Sequence, residues 1–138
     1  MEIKLREIQK KDIDFIFELR NNEEVRKYMF NTEPLIYEKH VTYWKNRIEK
    51  KEPSYIIEKN ELKVGFVKLD YCNLEKAYYI SIVIKNEYQG EGTGKKSIEI
   101  LKQKHGKLLA KVKPDNEKSK KMFEKMDFKM RSYEMESS

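Results

Sequence analysis

Glycine, proline and cysteine are all scarce in this chain. Five glycines and three prolines in 138 residues are too few for a low-complexity sequence, and no repeat of solenoid length is visible. The single cysteine, Cys72, excludes an intrachain disulfide, so a reducing compartment is the economical expectation. Cys72 has no His and Asp partnership in the sequence and reads as inert rather than nucleophilic. No apolar run approaches the roughly 18 residues that a membrane-spanning helix needs. The opening "MEIKLREIQKKDI" is charged throughout and holds no apolar signal region. The expectation is a cytoplasmic protein with no membrane partner.

Charge is what the chain has in quantity. Thirty Lys and Arg against 24 Asp and Glu give a net charge of +6, spread along the whole length rather than gathered in a tail. Such a surplus attracts anionic ligands, nucleic acid or anionic surfaces, and it is equally an ordinary solvated face. The length suits one domain, 1–138, with one real core.

Periodicity sets the expected elements. Residues 2–8 alternate as a half-buried strand. Residues 10–29 carry helical spacing through Ile13, Ile16, Phe17 and Leu19, with Asp12 placed to cap the start and Asn21-Asn22 as a break. Residues 35–51 form a second amphipathic helix with Tyr37, Val41, Trp44 and Ile48 on one face, closed by Pro53. Residues 54–72 read as a hairpin turning at Lys59-Asn60. Tyr78 to Ile84 is the strongest strand, apolar on both sides and so expected to be central. A helix from Gly92, a strand over 107–114, a helix from Asp115 or Asn116 and a last alternating strand over 127–135 complete the order. This is an α+β layer structure with a mixed, mostly antiparallel sheet flanked by about four helices.

Three of the five glycines, Gly90, Gly92 and Gly94, fall between that strongest strand and the helix that follows. A helix N-terminus exposes unpaired N–H groups and positive partial charge, and glycine lets an anion approach them. The P-loop spacing fails, because only three residues separate Gly90 from Gly94 and Lys96 stands where Ser or Thr is needed. The dinucleotide fingerprint fails too, since its third glycine falls on Lys95 or Ser97, and several elements precede the turn.

Gln89-Gly90-Glu91-Gly92-Thr93-Gly94 fits Q/R-x-x-G-x-G/A, and this resembles the acetyl-CoA signature of the GNAT superfamily of N-acetyltransferases. "KVKPDNEKSKKMFEKMDF" is similar to that superfamily's second signature through Asn116, Ser119, Met122, Phe123, Lys125 and Phe128. The element order resembles the same fold over nearly the whole chain. The resemblance implies an acetyl-CoA cosubstrate and no metal. It places pantetheine on the backbone of Ile82, Val83 and Ile84 and pyrophosphate on the amides of Gln89, Gly90, Glu91, Gly92, Thr93, Gly94 and Lys95. Asn116, Ser119 and Phe123 would meet the cofactor from the next helix. Two departures stand out: Phe123 lacks the hydroxyl that the family often uses to protonate the leaving thiolate, and Asp127 replaces a glycine. The closing hairpin is also shortened.

Direct transfer to an amine requires a group that removes the amine proton and a group that stabilises the thiolate. Tyr79, on the strand before the turn, is the nominal base; a packed aromatic is the plainer reading. Arg20, Asn21, Met29, His40 and Trp44 are the acceptor-site candidates. Arg20 could grip an acidic group or a phosphate bidentately or form a surface ion pair, His40 could bind or deprotonate the acceptor or merely pack, and Met29 and Trp44 could wall the site or fill the core. The segments "ELRNNEEVRKYMF" and "YEKHVTYWKNRI" resemble enzymes that acetylate nucleotide-linked aminosugars, as in pseudaminic-acid-type pathways, and also ribosomal-protein N-terminal acetyltransferases. The acceptor is therefore expected to be a small molecule or peptide amine, an amino-sugar nucleotide first, with no nucleic-acid partner and a monomer or homodimer as the working unit. A CoA-binding sensor without activity and a nucleic-acid-binding module are the alternatives left open.

Overall fold

A computed structural model describes residues 2–138. Its centre is a five-stranded sheet in the order β1-β2-β3-β4-β5, formed by Ile3–Glu7, Ser54–Lys59, Leu62–Cys72, Ala77–Ile84 and Leu108–Ala110. The first four strands pair antiparallel and β5 joins β4 in parallel. Helix α1 spans Ile13–Arg20, the one-turn α2 Glu23–Arg26, α3 Tyr37–Glu49, α4 Thr93–His105 and α5 Glu117–Lys125. No described helix is long and apolar enough to cross a membrane.

The two faces of the sheet bury separate clusters. Ile16, Leu19, Trp44, Ile56 and Phe66 pack between α1, α3 and the sheet. Ile57, Val67, Leu69, Ile80, Ile98, Leu101 and Phe123 pack on the opposite face under α4 and α5. Strand alternation sends neighbours to opposite sides, so Tyr78, Ile80, Ile82 and Ile84 join the second cluster while Val83 joins the first. Tyr79 and Ser81, in phase with Val83, therefore lie on the α1–α3 face.

The observed elements differ from the expected ones in instructive places. The helix α3 buries His40, Trp44 and Arg47, whereas Tyr37 stays exposed and its hydroxyl donates to Asp14. Asp12 does not cap α1 with its side chain. It is fully buried, accepting from both Arg6 guanidinium nitrogens at 2.9 and 3.0 Å, from Lys63 at 2.8 Å and from the Gln9 amide at 2.8 Å. The central strand is β3, and β4 stands next to a short edge. The strand expected over 107–114 contracts to three residues. No strand forms over 127–135. Met130, Tyr133 and Met135 are exposed there: alternation makes a strand only where one face finds something to cover it.

Candidate active site

The length of β4 divides into two halves. Ala77 to Ile84 are all paired with β3, from Cys72 back to Gly65. On the other side only Tyr78, Tyr79 and Ile80 have partners, in Leu108, Leu109 and Ala110. From Ser81 onward β4 has no neighbour on that edge, so alternate residues aim backbone N–H and C=O groups into a gap. Beyond β5 the chain leaves β4 and is held elsewhere: Lys113 donates to the Met29 carbonyl at 3.2 Å and the Lys27 carbonyl at 3.4 Å. After β5 the chain thus turns toward the α2 region instead of continuing along β4.

Gly65 holds β4 in place from behind. A Cβ there would sit 2.3 Å from the Val83 carbonyl oxygen, so only glycine permits this close approach of β3 to the open half of β4.

The strand runs through a short 3-10 turn, Asn86–Tyr88, into the glycine turn and α4. Gly90 and Gly92 both have φ of +80°, the left-handed region that other residues enter at a cost. Gly94 has a different reason. It is buried in α4, and a Cβ there would sit 2.5 Å from the Met122 sulfur, so this glycine seats α4 against α5. Among the described residues, no acceptor pairs with the N–H groups of residues 90 to 95; the Lys96 amide is the first in α4 to bond back, to the Gly92 carbonyl at 3.0 Å. The adjacent Thr93 hydroxyl is buried and unpartnered. Glu91 is the one acid in this cradle, and Lys59 binds its carboxylate at 2.6 Å. Exposed Lys95 and Lys96 follow.

These features suit a long ligand with an anionic end. The unpaired edge of Ile82 to Ile84 offers backbone partners to an amide-bearing arm, and the cradle of free amides suits a pyrophosphate. Gln89 itself donates its side-chain amide to the Ile84 carbonyl at 3.0 Å, tying strand to turn. Asn116 caps α5, its side-chain oxygen accepting from the Ser119 amide at 3.2 Å, which leaves its NH₂ group unused. Phe123 is buried against Phe128, with ring centres 4.9 Å apart.

The acceptor candidates separate. Trp44 is fully buried, edge-on to Phe66 in the core, and does not reach the surface. His40 is buried, with Nε2 2.9 Å from the Ile13 carbonyl. A carbonyl only accepts, so Nε2 carries the proton, and Nδ1 is left buried without a partner. Burial lowers its pKa; the Ile13 carbonyl opposes this and the charge of Arg20 adds to it. The ring joins α3 to α1. Asn21 accepts from Arg26 at 3.2 Å and from the Leu35 amide at 3.0 Å, so it staples the loop after α2. Met29 is half-buried beside the Lys113 tether. Tyr79 is half-buried with Lys111 above its ring at 5.0 Å. Arg20 and His40 come together in the lining of a hollow of about 330 Å³, with Asn31, Glu33, Lys39 and Tyr43.

Sequence reasoning passed over three residues that shape this site. Lys59 neutralises Glu91, Lys113 ties the chain after β5 to the α2 region, and Lys68 stands opposite Ser81 with its ammonium 2.5 Å from the Tyr43 hydroxyl. Only the Lys68–Ser81 pairing had a signal in the chain, through the register of β3 on β4. That register depends on the turn after Cys72, which holds no glycine or proline to fix its type.

A family described as the acetyltransferase (GNAT) domain matches residues 2–129. Spermidine N(1)-acetyltransferase of Escherichia coli K12 is 28% identical over 142 aligned positions, covering 91% of this chain and 72% of that one. A solved domain from Methanocaldococcus jannaschii is 27% identical and superposes with a TM-score of 0.82 over 98% of this chain and 93% of that one. Spermidine N-acetyltransferase from Vibrio cholerae, solved with CoA and spermine, shares the fold at a TM-score of 0.76, with 22% identity over 89% of this chain and 78% of that one.

Proposed function

Because this chain belongs to the acetyltransferase (GNAT) domain family and is an N-acetyltransferase, we propose that it moves an acetyl group from acetyl-CoA directly to the primary amine of a small-molecule acceptor. The observation that carries this reading is the half-paired strand β4 running into a turn of unpaired amides. When bound, acetyl-CoA supplies the thioester carbonyl that the amine attacks and the thiolate that leaves.

The residues of the chain divide the work. Backbone groups of Ile82 to Ile84 hold the cofactor arm and orient it along β4. The amides of residues 90 to 95, with Lys95 and Lys96, hold its phosphates. Unpaired N–H groups at the start of the gap are placed to polarise a carbonyl, a fixed donor that needs no reorganisation. Tyr79 is the one titratable group on the α1–α3 side of β4, and it serves as the hydroxyl through which the amine proton leaves. Phe123 has no proton to offer, so a leaving thiolate would take its proton from another group or from water, or leave unprotonated.

Kinship with a polyamine acetyltransferase widens the acceptor from the amino-sugar nucleotide of the sequence reading to small primary amines in general. Calorimetric titration of acetyl-CoA tests the core of the proposal. The wild type is expected to bind in the micromolar range, and the Lys95→Glu/Lys96→Glu variant more weakly. Mass spectrometry of a panel of amines incubated with enzyme and acetyl-CoA then reads the acceptor. Absence of wild-type binding overturns the proposal; binding with no acetylated amine leaves a CoA-binding module.

A further inference from the structure

Two arginines sit at the ends of helices on the same face of the sheet, and they are treated in opposite ways. Arg47, buried near the end of α3, uses all of its nitrogens. It binds Ser54 Oγ at 3.0 Å, the Pro53 and Leu69 carbonyls at 3.0 Å each, Glu52 at 3.0 Å and Asp70. Arg20, the last residue of α1, is half-buried, and its guanidinium makes no hydrogen bond or ion pair with any described residue. Burial lowers its pKa, and only the Tyr43 ring opposes this. A guanidinium carries five donors in a planar fork that matches an oxyanion. No nitrogen of Arg20 is sealed from water, so the fork is met by solvent alone, and a ligand oxyanion can take the place of that water.

The hollow around Arg20 lies on the same α1–α3 side of the sheet as the exposed Ser81, and helix and loop residues line it. Tyr43 lines it, and the Tyr43 hydroxyl meets Lys68 on β3. Lys68 pairs across the sheet with Ser81, the first residue of β4 beyond the reach of β5. Tyr43 and Lys68 are thus the link from the hollow toward the open half of β4. Arg20 and Lys39 face one acid in the lining, Glu33, and Lys68 beside it has Asp70 at 3.8 Å. A polycation would meet like charge there. The volume of about 330 Å³ falls within the range of small-ligand sites.

We propose that this hollow is an anion subsite for the acceptor: Arg20, supported by Lys39, grips a phosphate or carboxylate on the same small molecule that presents the amine to the gap beside Ser81. The inference rests on the acetyl-transfer reading and gives its acceptor a chemical class, an amine with an oxyanion. The subsite positions the amine; no bond forms or breaks at Arg20.

Matched amines test this. Ethanolamine and O-phosphoethanolamine form one pair, glucosamine and glucosamine 6-phosphate a second, with spermidine as the polycation. The phosphorylated member is expected to show about tenfold higher kcat/KM, carried by KM. Arg20→Gln collapses that ratio, and Arg20→Lys restores part of it. A second readout needs no turnover: inorganic phosphate and O-phosphoethanolamine, titrated calorimetrically into the protein with CoA present, give a saturable heat that Arg20→Gln removes. Preference for spermidine, a ratio unmoved by Arg20→Gln, or phosphate binding that survives the variant each overturns the subsite. If wild-type protein fails to bind acetyl-CoA, the acetyl-transfer reading falls, and phosphate titration into the free protein still decides the subsite.

Discussion

The two margins of the sheet are built on opposite rules. At the β1–β2 margin the buried charge is fully met: Asp12 sits between Arg6, Lys63 and the Gln9 amide, and Arg6 reaches Glu58 as well. At the β4–β5 margin the backbone is left unpaired from Ser81 onward, the turn amides have no acceptor, and Arg20 has no counterion. The first margin spends its polar groups on holding the fold. The second keeps them available. Single buried polar atoms go without partners elsewhere too, at Arg26 Nε, His40 Nδ1 and Trp44 Nε1, but the second margin leaves a run of consecutive backbone groups unmet, and such a run marks where a ligand belongs.

The comparison breaks most visibly if the satisfied margin is damaged. Asp12→Ala leaves Arg6 and Lys63 facing each other with no anion between them, and is expected to cost about 4 kcal/mol in urea unfolding. Acetyl-CoA affinity of the folded fraction should not change. Arg47→Met strands the Pro53 and Leu69 carbonyls and should cost about 3 kcal/mol, again with affinity intact. A loss of affinity in either variant would mean that the margins are coupled.

Acid provides a second cut at the same contrast. Burial raises the pKa of Asp12, but hydrogen bonds from Arg6, Lys63 and Gln9 outweigh it and bring the carboxyl from 3.8 down to about 2. A depressed carboxylate contributes stability that is full above its unfolded value and is lost as pH falls toward the folded one. Urea midpoints should therefore decline between about pH 4 and pH 2, by about 2 kcal/mol for this group. Asp12→Asn, starting lower, should be flatter over that window.

Gly65 lies where the margins meet. Gly65→Ala pushes a methyl group into the Val83 carbonyl oxygen and must move β4. About 2 kcal/mol of stability should go with it, and unlike the previous variants it should also weaken acetyl-CoA, because the displaced backbone is the edge proposed to hold the cofactor arm. At the cradle, Lys95→Glu/Lys96→Glu should leave stability within about 0.5 kcal/mol and weaken acetyl-CoA about tenfold, an effect that shrinks with added salt.

Much of this contrast was legible in the chain and some was not, for physical reasons. Periodicity placed the helices, the hairpin and the strong strand before the glycine turn, because each buries one regular face. It also gave residues 127–135 a strand that does not form, since alternation records a capacity to be half-buried and not the presence of a cover. The glycine turn could be read, although not the reason for Gly94 lacking a side chain, which is close packing against Met122. His40 and Trp44 share a helix face with Arg47, and no local pattern tells a buried face that meets the core from one that meets a substrate. Pairing was the least legible property. Nothing in the residues around position 20 or 47 says which guanidinium finds partners: Arg47 meets Glu52, Pro53 and Ser54 just past its own helix, but also Leu69 and Asp70 on β3, more than 20 residues on.

The smallest expected effect has the most telling sign. Arg47→Met should destabilise, yet Arg20→Met should stabilise, by about 0.5 kcal/mol. A charge held partly out of water with no partner is a cost to the folded state, and an apolar stem of similar length removes that cost while keeping the packing against Tyr43 and Leu35. Thermal unfolding of the two variants beside the wild type would show it as shifts of opposite direction. With a phosphate-bearing amine in the buffer the order should reverse, because the ligand then stabilises only the chain that retains the guanidinium. An Arg20→Met variant that unfolds earlier without ligand would mean that the guanidinium belongs to the fold after all, and that the second margin is as self-contained as the first.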